Sequence, residues 1–260
     1  MAESMNSGPR EWDAKTYDRV SDPQFNWGVE VLDRLRLEGD ETVLDAGAGS
    51  GRVTARLIER LPNGRVIALD GSEQMIEQAR ENLGDSVSEY VVMDLAELEL
   101  DDPVDVVFST ATFHWVTDHD NLFGRIHDSL VPGGRLHAQC GGAGNVAKHA
   151  MAIAEVANSK PFSEHYEDMP MMWNFAEPDV TEERLRKAGF GDVRAWLEHK
   201  PLTPPEPREF TRTVTLGPHL ARLPEDLRYP FVDAVLAKMD DPPTLDYVRL
   251  NIEATRPEAG

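Results

Sequence analysis

Apolar residues along the chain change period several times, and each change marks an element. In SDPQFNWGVEVLDRLRL, Trp27, Val31, Leu32 and Leu35 recur at helical spacing and stop before Gly39. The run ETVLDAG that follows is short, apolar and closed by glycine, the mark of a buried strand. From Arg52 the spacing is helical again, with Val53, Leu57 and Leu61 in register until Pro62-Asn63-Gly64. RVIALD predicts a second buried strand. Residues 72–83 predict a helix that Ser72 caps and that turns Met75, Ile76 and Ala79 inward. SEYVVMD and PVDVVFST predict the third and fourth strands, residues 118–130 a helix stopping at VPGG, and RLHAQC the fifth strand.

Strands alternating with helices at this interval specify an α/β fold, Rossmann-like, with a mostly parallel sheet and helices on both faces. The alternation breaks after Gly141. Residues 144–158 read as a helix rich in small side chains, and KPFSEHYEDMPMMWNF as an irregular stretch of aromatics and methionines. It resumes with a helix near 179–188 and the strand VRAWLEHKPL, breaks again over 203–240 with two helices, and closes on the strand-like LDYVRLNIEATR, which completes a seven-stranded sheet.

Composition narrows the partners. With 47 acidic and 26 basic residues the formal net charge is −21, and no run of Lys or Arg offsets it, so nucleic acid and anionic membranes are excluded as partners. A small-molecule substrate remains, with the chain a monomer or homodimer. No apolar run reaches bilayer length, and MAESMNSGPR lacks the apolar core of a signal peptide, so the expected location is cytoplasmic. The single cysteine, Cys140, leaves no intramolecular disulfide and no cysteine-based zinc site, and the histidines have no metal-ligand spacing; no metal is expected. The scarcity of Lys beside abundant Asp and Glu fits salt adaptation or, equally, a merely acidic protein.

The sharpest local signal is VLDAGAGSG, residues 43–51, where strand gives way to Gly47, Gly49 and Gly51 and then to a helix. Alternating glycines supply unusual backbone angles and let a ligand approach the main chain, at the sheet edge where open α/β folds bind ligands. A dinucleotide loop wants a sixth-place glycine, and here that place is Arg52. Asp45 beside the loop suits a ligand with an amino group rather than a pyrophosphate. Asp70 at the end of the second strand can accept both hydroxyls of a ribose, and Asp94 at the end of the third can accept from an adenine amino group; each could instead merely cap the turn that follows. Three acidic strand ends on one sheet edge point to a nucleoside-type ligand.

With these residues in place, the chain resembles the class I S-adenosylmethionine-dependent methyltransferases. VLDAGAGSG, RVIALDGSEQMIEQAR, VVMDLAEL, FSTATFHWV, LVPGGRLHA and LRKAGF carry the likeness, and WDAKTYD, QFNWG and HWV resemble the trans-aconitate methyltransferase-like branch. The resemblance implies S-adenosyl-L-methionine as cofactor and an enzyme that methylates a small molecule, at a carboxylate or hydroxyl oxygen; a silent cofactor-binding partner subunit is the alternative. It places Gly47, Ala48, Gly49 and Gly51 against the methionine part, Asp45 near the amino group, Asp70 and Gly71 at the ribose and Asp94 and Leu95 at the adenine. Met75 would pack on the adenine face, and Ser109 and Thr110 would border the amino acid moiety. It also implies residues 1–40 as a lid, with Trp12, Tyr17 and Gln24 over the cofactor; the alternatives are helix-to-sheet packing for the first two and a surface amide for Gln24. The core is then 41–200 plus 243–256, with the inserts 144–176 and 203–240 as a substrate cap.

His114, in the loop after the fourth strand, is the one placed candidate for a catalytic base, the alternative being a hydrogen bond to backbone between Phe113 and Trp115. Trp115, Tyr166, Met172 and Trp173 are candidate substrate contacts, within an aromatic and methionine-rich run that suits an apolar ligand or, equally, forms a helix-packing seam. A tricarboxylate would need several converging cations; Lys160, Arg212, Arg222 and Arg228 are available, without evidence that they converge.

Overall fold

The computed structural model describes residues 22–168 and 173–258. Chain order runs α1 (Asp22–Arg34), β1 (Thr42–Ala46), α2 (Arg52–Ile58), β2 (Arg65–Asp70), α3 (Glu73–Leu83), β3 (Glu89–Val92), β4 (Val104–Thr110), α4 (His119–Ser129) and β5 (Leu130–Gly141). After these come α5 (Ala147–Ala157), α6 (Pro178–Lys187), β6 (Gly191–His199), α7 (Pro207–Phe210), α8 (Gly217–Ala221), α9 (Glu225–Leu236) and β7 (Val248–Thr255). The sheet order is β3-β2-β1-β4-β5-β7-β6, parallel except for β7, which inserts antiparallel between β5 and β6.

Consecutive strand residues explain the layers. Val43, Val66, Val106 and Phe108 join Val31, Leu32, Leu35 and Leu57, under α1 and α2. Their neighbours Leu44, Ile67 and Val107 join Leu122, Phe123, Ile126 and Leu185, under α4 and α6. Successive side chains point to opposite faces, and both faces are covered, so the central strands read as continuous apolar runs. Each fully buried Val or Leu contributes roughly 1.5–3 kcal/mol. Ser72 caps α3 as its sequence predicts, accepting from Met75 N at 3.3 Å.

Two expectations change in detail. VPGG is not a turn: β5 begins at Leu130, and the register against β4 shifts between Val104 and Val106, so the prolyl-glycyl stretch is an irregularity within the strand. The 203–240 segment holds three helical pieces, with a π-turn over Thr211–Thr215. It packs on α5 through a core of its own that includes Ile153, Val156, Phe162, Leu220, Phe231 and Val235.

Candidate functional site

The carboxyl ends of β1, β2 and β4 build the glycine loop side. Gly47 has φ +91°, and a Cβ there would lie 2.1 Å from Thr112 Oγ1, so close approach of the β4 loop demands glycine. Gly49, at φ +56°, would place a Cβ in open space, so the loop presents bare backbone to the cleft. The loop amides have acceptors within the chain. Gly47 N and Ala48 N both donate to Leu69 O, and Gly49 N donates to Asp70 Oδ2 at 2.9 Å. A loop with its N–H groups so engaged is not a phosphate cradle, which agrees with Arg52 in place of the third glycine. Arg52 instead pairs with Asp22 at 2.6 Å and lies over the Phe25 ring, pinning α1 to the start of α2.

Asp45 is buried, and its carboxylate accepts from Thr54 Oγ1 at 2.7 Å. Burial pushes its pKa up to about 7; the Thr54 bond opposes this, and the charge of Asp70 adds to it. A carboxyl so placed gains most from a cationic ligand group. Asp70 Oδ1 also accepts from Ser72 N, and Asp94 Oδ1 accepts from Ala96 N, so one oxygen of each does fill the capping role foreseen as the alternative. Ser109 is buried and donates to Ala46 O, tying β4 to β1, while Thr110 approaches Gly28 of α1. Met75 and Leu95 are both buried, Leu95 within the main core. Gly71 is half-buried beside Asp70. Open backbone at Gly49 beside two carboxylates fits an amino-acid nucleoside; a pyrophosphate does not fit.

A cleft open to solvent lies at the same sheet edge beyond β4. Segments distant in sequence line it: Gln24 from α1, Ala111, His114 and Trp115 after β4, His149 and Ile153 from α5, Trp173 and Phe175 from the first insert, and Tyr247 and Arg249 around the start of β7. Gln24 is therefore no surface amide. Its Nε2 donates to Tyr247 at 3.4 Å, and its Oε1 is buried with no partner among the described residues.

His114 is buried, and its Nδ1 accepts from Gly141 N at 3.3 Å. Burial, helped by the nearby charge of Arg249, holds its pKa well below 6.5. The neutral ring must then carry its proton on Nε2, which makes it a donor where a base was expected. The ring lies 5.2 Å from Trp115 and 5.7 Å from Phe175, Trp173 stacks on Phe175 at 5.7 Å, and Trp115 meets Trp173 at 5.9 Å.

Tyr166 departs from expectation. Its hydroxyl donates to His219 O, and its ring packs on Phe231 in the helical core, so it belongs to the seam and is absent from the cleft lining. Phe162 is buried in the same seam. Trp12, Tyr17 and Met172 lie outside the described residues. Among the described residues no cluster of metal-ligating side chains occurs, and no helix is long and apolar enough to cross a membrane.

Arg249 is the residue the sequence reading missed. It is 3% exposed, donates from Nε to Gln139 Oε1 at 3.4 Å and lies 5.2 Å from the Trp27 ring centroid. No local signal marked it, because Arg249, Asn251 and Glu253 alternate with Leu250 and Ile252 as on a strand with one solvated face.

A methyltransferase domain family matches residues 43–134, the span from β1 into β5. A trans-aconitate 2-methyltransferase of Rhizobium etli is 28% identical over 232 residues, covering 88% of this chain and 90% of its own length. Its counterpart from Methylobacterium nodulans is 29% identical over 72% of this chain and 67% of its own. In fold, the chain is similar to phosphoethanolamine N-methyltransferase 2 of Haemonchus contortus, with a TM-score of 0.63 at 22% identity. That likeness covers 94% of this chain and 57% of the nematode enzyme's. Sheet order, glycine loop and sequence likeness converge on a methyltransferase that uses S-adenosylmethionine, and the chain is similar to the class I members of that group.

Proposed function

We propose that the enzyme methylates a carboxylate oxygen of a small-molecule acid. One observation carries this reading: in a chain of net charge −21, the described lining of the cleft includes Arg249 and contains no Asp or Glu. A described lining without carboxylates in so acidic a protein favours an anion. The bacterial relatives are named for trans-aconitate, itself a carboxylic acid, which supports the same chemical class.

The glycine loop with Asp45, Asp70, Gly71 and Asp94 would hold the cofactor, with Met75 and Leu95 on the adenine side and Ser109 and Thr110 at the amino acid end. Gln24, whose Oε1 has no partner among the described residues, would accept from a cofactor N–H. When bound, S-adenosylmethionine supplies a methyl group on a cationic sulfur. A carboxylate acceptor is already deprotonated, so no base is required. The residues of the cleft therefore orient and desolvate: Arg249 attracts the acid, His114 donates from Nε2, and the indoles of Trp115 and Trp173 exclude water. Alignment of this kind can supply ~7–11 kcal/mol of a barrier. The helices of 144–176 and 203–240 act as the cap that completes the cleft.

The test is a panel of acids, phenols and amines incubated with S-adenosylmethionine. Base-labile methyl esters are expected among the products. Ethers or methylamines formed while every acid stays inert would refute the carboxylate reading.

A further inference from the structure

We propose that Val146 determines which acceptors the cleft admits, its side chain setting the depth of the pocket. The inference rests on the reading above in taking this cleft as the acceptor's, and it holds for a carboxylate or a phenol alike. Its first ground is backbone strain. Among the described residues three that are not glycine have positive φ: Ala111 at +58°, Val146 at +47° and Asp192 at +45°. Ala111 and Val146 both line the cleft, whereas Asp192 belongs to the irregularity in β6. The left-handed region is unfavourable for any residue with a Cβ, and a β-branched residue there is a genuine outlier. Such a conformation persists only where its surroundings over-determine it. Here they do. Val146 N donates to Asp246 O at 3.0 Å, and Val146 O accepts from Ala150 N at 2.8 Å as α5 begins. On the residue before it, Asn145 Oδ1 accepts from Val248 N of β7 at 3.0 Å. Glycine, the residue this backbone prefers, stands two places earlier at Gly144, with φ +77°. Valine at 146 against that preference points to a role for its isopropyl group.

Packing is the second ground. Val146 is 7% exposed and belongs to a small apolar cluster with Trp27, Phe210, Leu245 and Tyr247, against which Phe175 and Val214 pack. Phe175, Val214 and Tyr247 also line the cleft, and they come from the first insert, the second insert and the segment leading into β7. One side chain therefore sits in the cluster where three walls of the cleft meet. Shortening it opens space at that junction and leaves the glycine loop, with Asp45, Asp70 and Asp94, as it is. At the usual free energy of burying a methylene, each one that enters this space gains about fourfold in kcat/KM. A valine kept for stability alone would lower the melting temperature when shortened and leave the choice of acceptor unchanged.

The test compares the full chain with Val146→Ala, Val146→Gly and, as a control, Val156→Ala. Val156 is buried in the helical core that α5 shares with the second insert, and it is absent from the described cleft lining. Straight-chain acids from butyrate to dodecanoate and para-alkylphenols from cresol to hexylphenol are supplied with S-adenosylmethionine, and S-adenosylhomocysteine formation is followed. Binding of the same compounds to protein saturated with S-adenosylhomocysteine is read by quenching of tryptophan fluorescence. The best compound should lengthen by about one or two carbons in Val146→Ala and further in Val146→Gly. The kcat/KM ratio of the longer to the shorter compound should rise about tenfold. The melting shift caused by S-adenosylhomocysteine should be the same in every variant. Val156→Ala should melt lower than the parent and keep the parent's length profile. Should Val146→Gly fail to fold, Val146→Ala decides. A length profile common to the parent and the Val146 variants, including one in which nothing binds or reacts, overturns this inference; where acids are esterified, it leaves the carboxylate reading intact. A profile that lengthens for phenols while every acid stays inert overturns the carboxylate reading and sustains this one.

Discussion

Replacing Asp45 by asparagine tests the electrostatics of the cofactor side directly. The carboxyl is buried with a hydroxyl partner from Thr54, and its pKa stands at about 7 against 3.8 for the free group. At 1.36 kcal/mol per pKa unit, the displacement corresponds to about 4 kcal/mol. The sign follows from proton counts. Between the two values the folded protein binds more protons than the unfolded chain, so stability is present at acid pH and is lost as pH rises through 7. About 2–3 kcal/mol of that loss falls between pH 5 and pH 8. The side-chain amide of the Asp45→Asn variant has no proton to lose and still accepts from Thr54. The melting temperature of Asp45→Asn relative to the parent should therefore climb between pH 5 and pH 8 by about 5–10 °C. Differential scanning fluorimetry on both proteins in matched buffers measures it. A difference that stays flat across that range would falsify the buried, poorly compensated carboxyl and with it the case for a cationic ligand group beside Asp45.

Three further outcomes follow from the same geometry. Gly47→Ala should unfold or fail to express, since its Cβ meets Thr112 at 2.1 Å; Gly49→Ala meets nothing and should cost only ~1–2 kcal/mol of left-handed strain while weakening the cofactor, as melts with and without S-adenosylhomocysteine will read. Asp70→Ala removes the acceptor of Gly49 N and Ser72 N, so the stabilisation of ~2.7 kcal/mol expected from S-adenosylhomocysteine at 100 times its Kd should vanish; its survival would dismiss Asp70 from the site. Because His114 is neutral well below pH 6.5, kcat against pH should show no inflection near 6.5, and such an inflection lost in His114→Ala would restore the histidine as a base.

The sheet was legible because its central strands are buried on both faces: Val43 and Leu44 feed opposite cores, and no polar alternation blurs the run. The glycine loop was legible because its backbone geometry excludes other residues at Gly47. The cleft was not, because it is made by convergence. Gln24, His114, Trp173 and Arg249 come from four separate segments, and no local period links them. The alternation Arg249-Leu250-Asn251-Ile252 reads as a strand with one wet face. In the fold α1 covers that face, and Arg249 and Asn251 are 3% and 0% exposed, with Arg34 reaching Asn251 from the helix. Tyr166 and Trp173 sit in one aromatic run and yet diverge, the first into the seam with Phe231 and the second into the cleft. Composition is the same for both, and only the path of the chain past the turn at Ser163–His165 separates them.

Strand order also arranges charge. Across β3-β2-β1-β4-β5-β7, the edge that holds the loops carries Asp94, Asp70 and Asp45 on one side of β4 and Arg249 on the other. A ligand with positive charge is favoured over β1 and β2, and on the proposed reading the acid would lie toward Arg249, so donor and acceptor would meet over the end of β4, where Ala111 and His114 stand. Transfer between them removes one charge of each sign at the reacting atoms. The attraction that assembles the pair is then absent from the products, so the same field that gathers the substrates does not retain the ester. An amine acceptor, cationic at neutral pH, would meet Arg249 as a like charge, and a phenol would arrive without the charge that Arg249 is placed to recognise. On the carboxylate reading proposed above, the acceptor would complement the sign pattern of the sheet edge at both ends of the reaction.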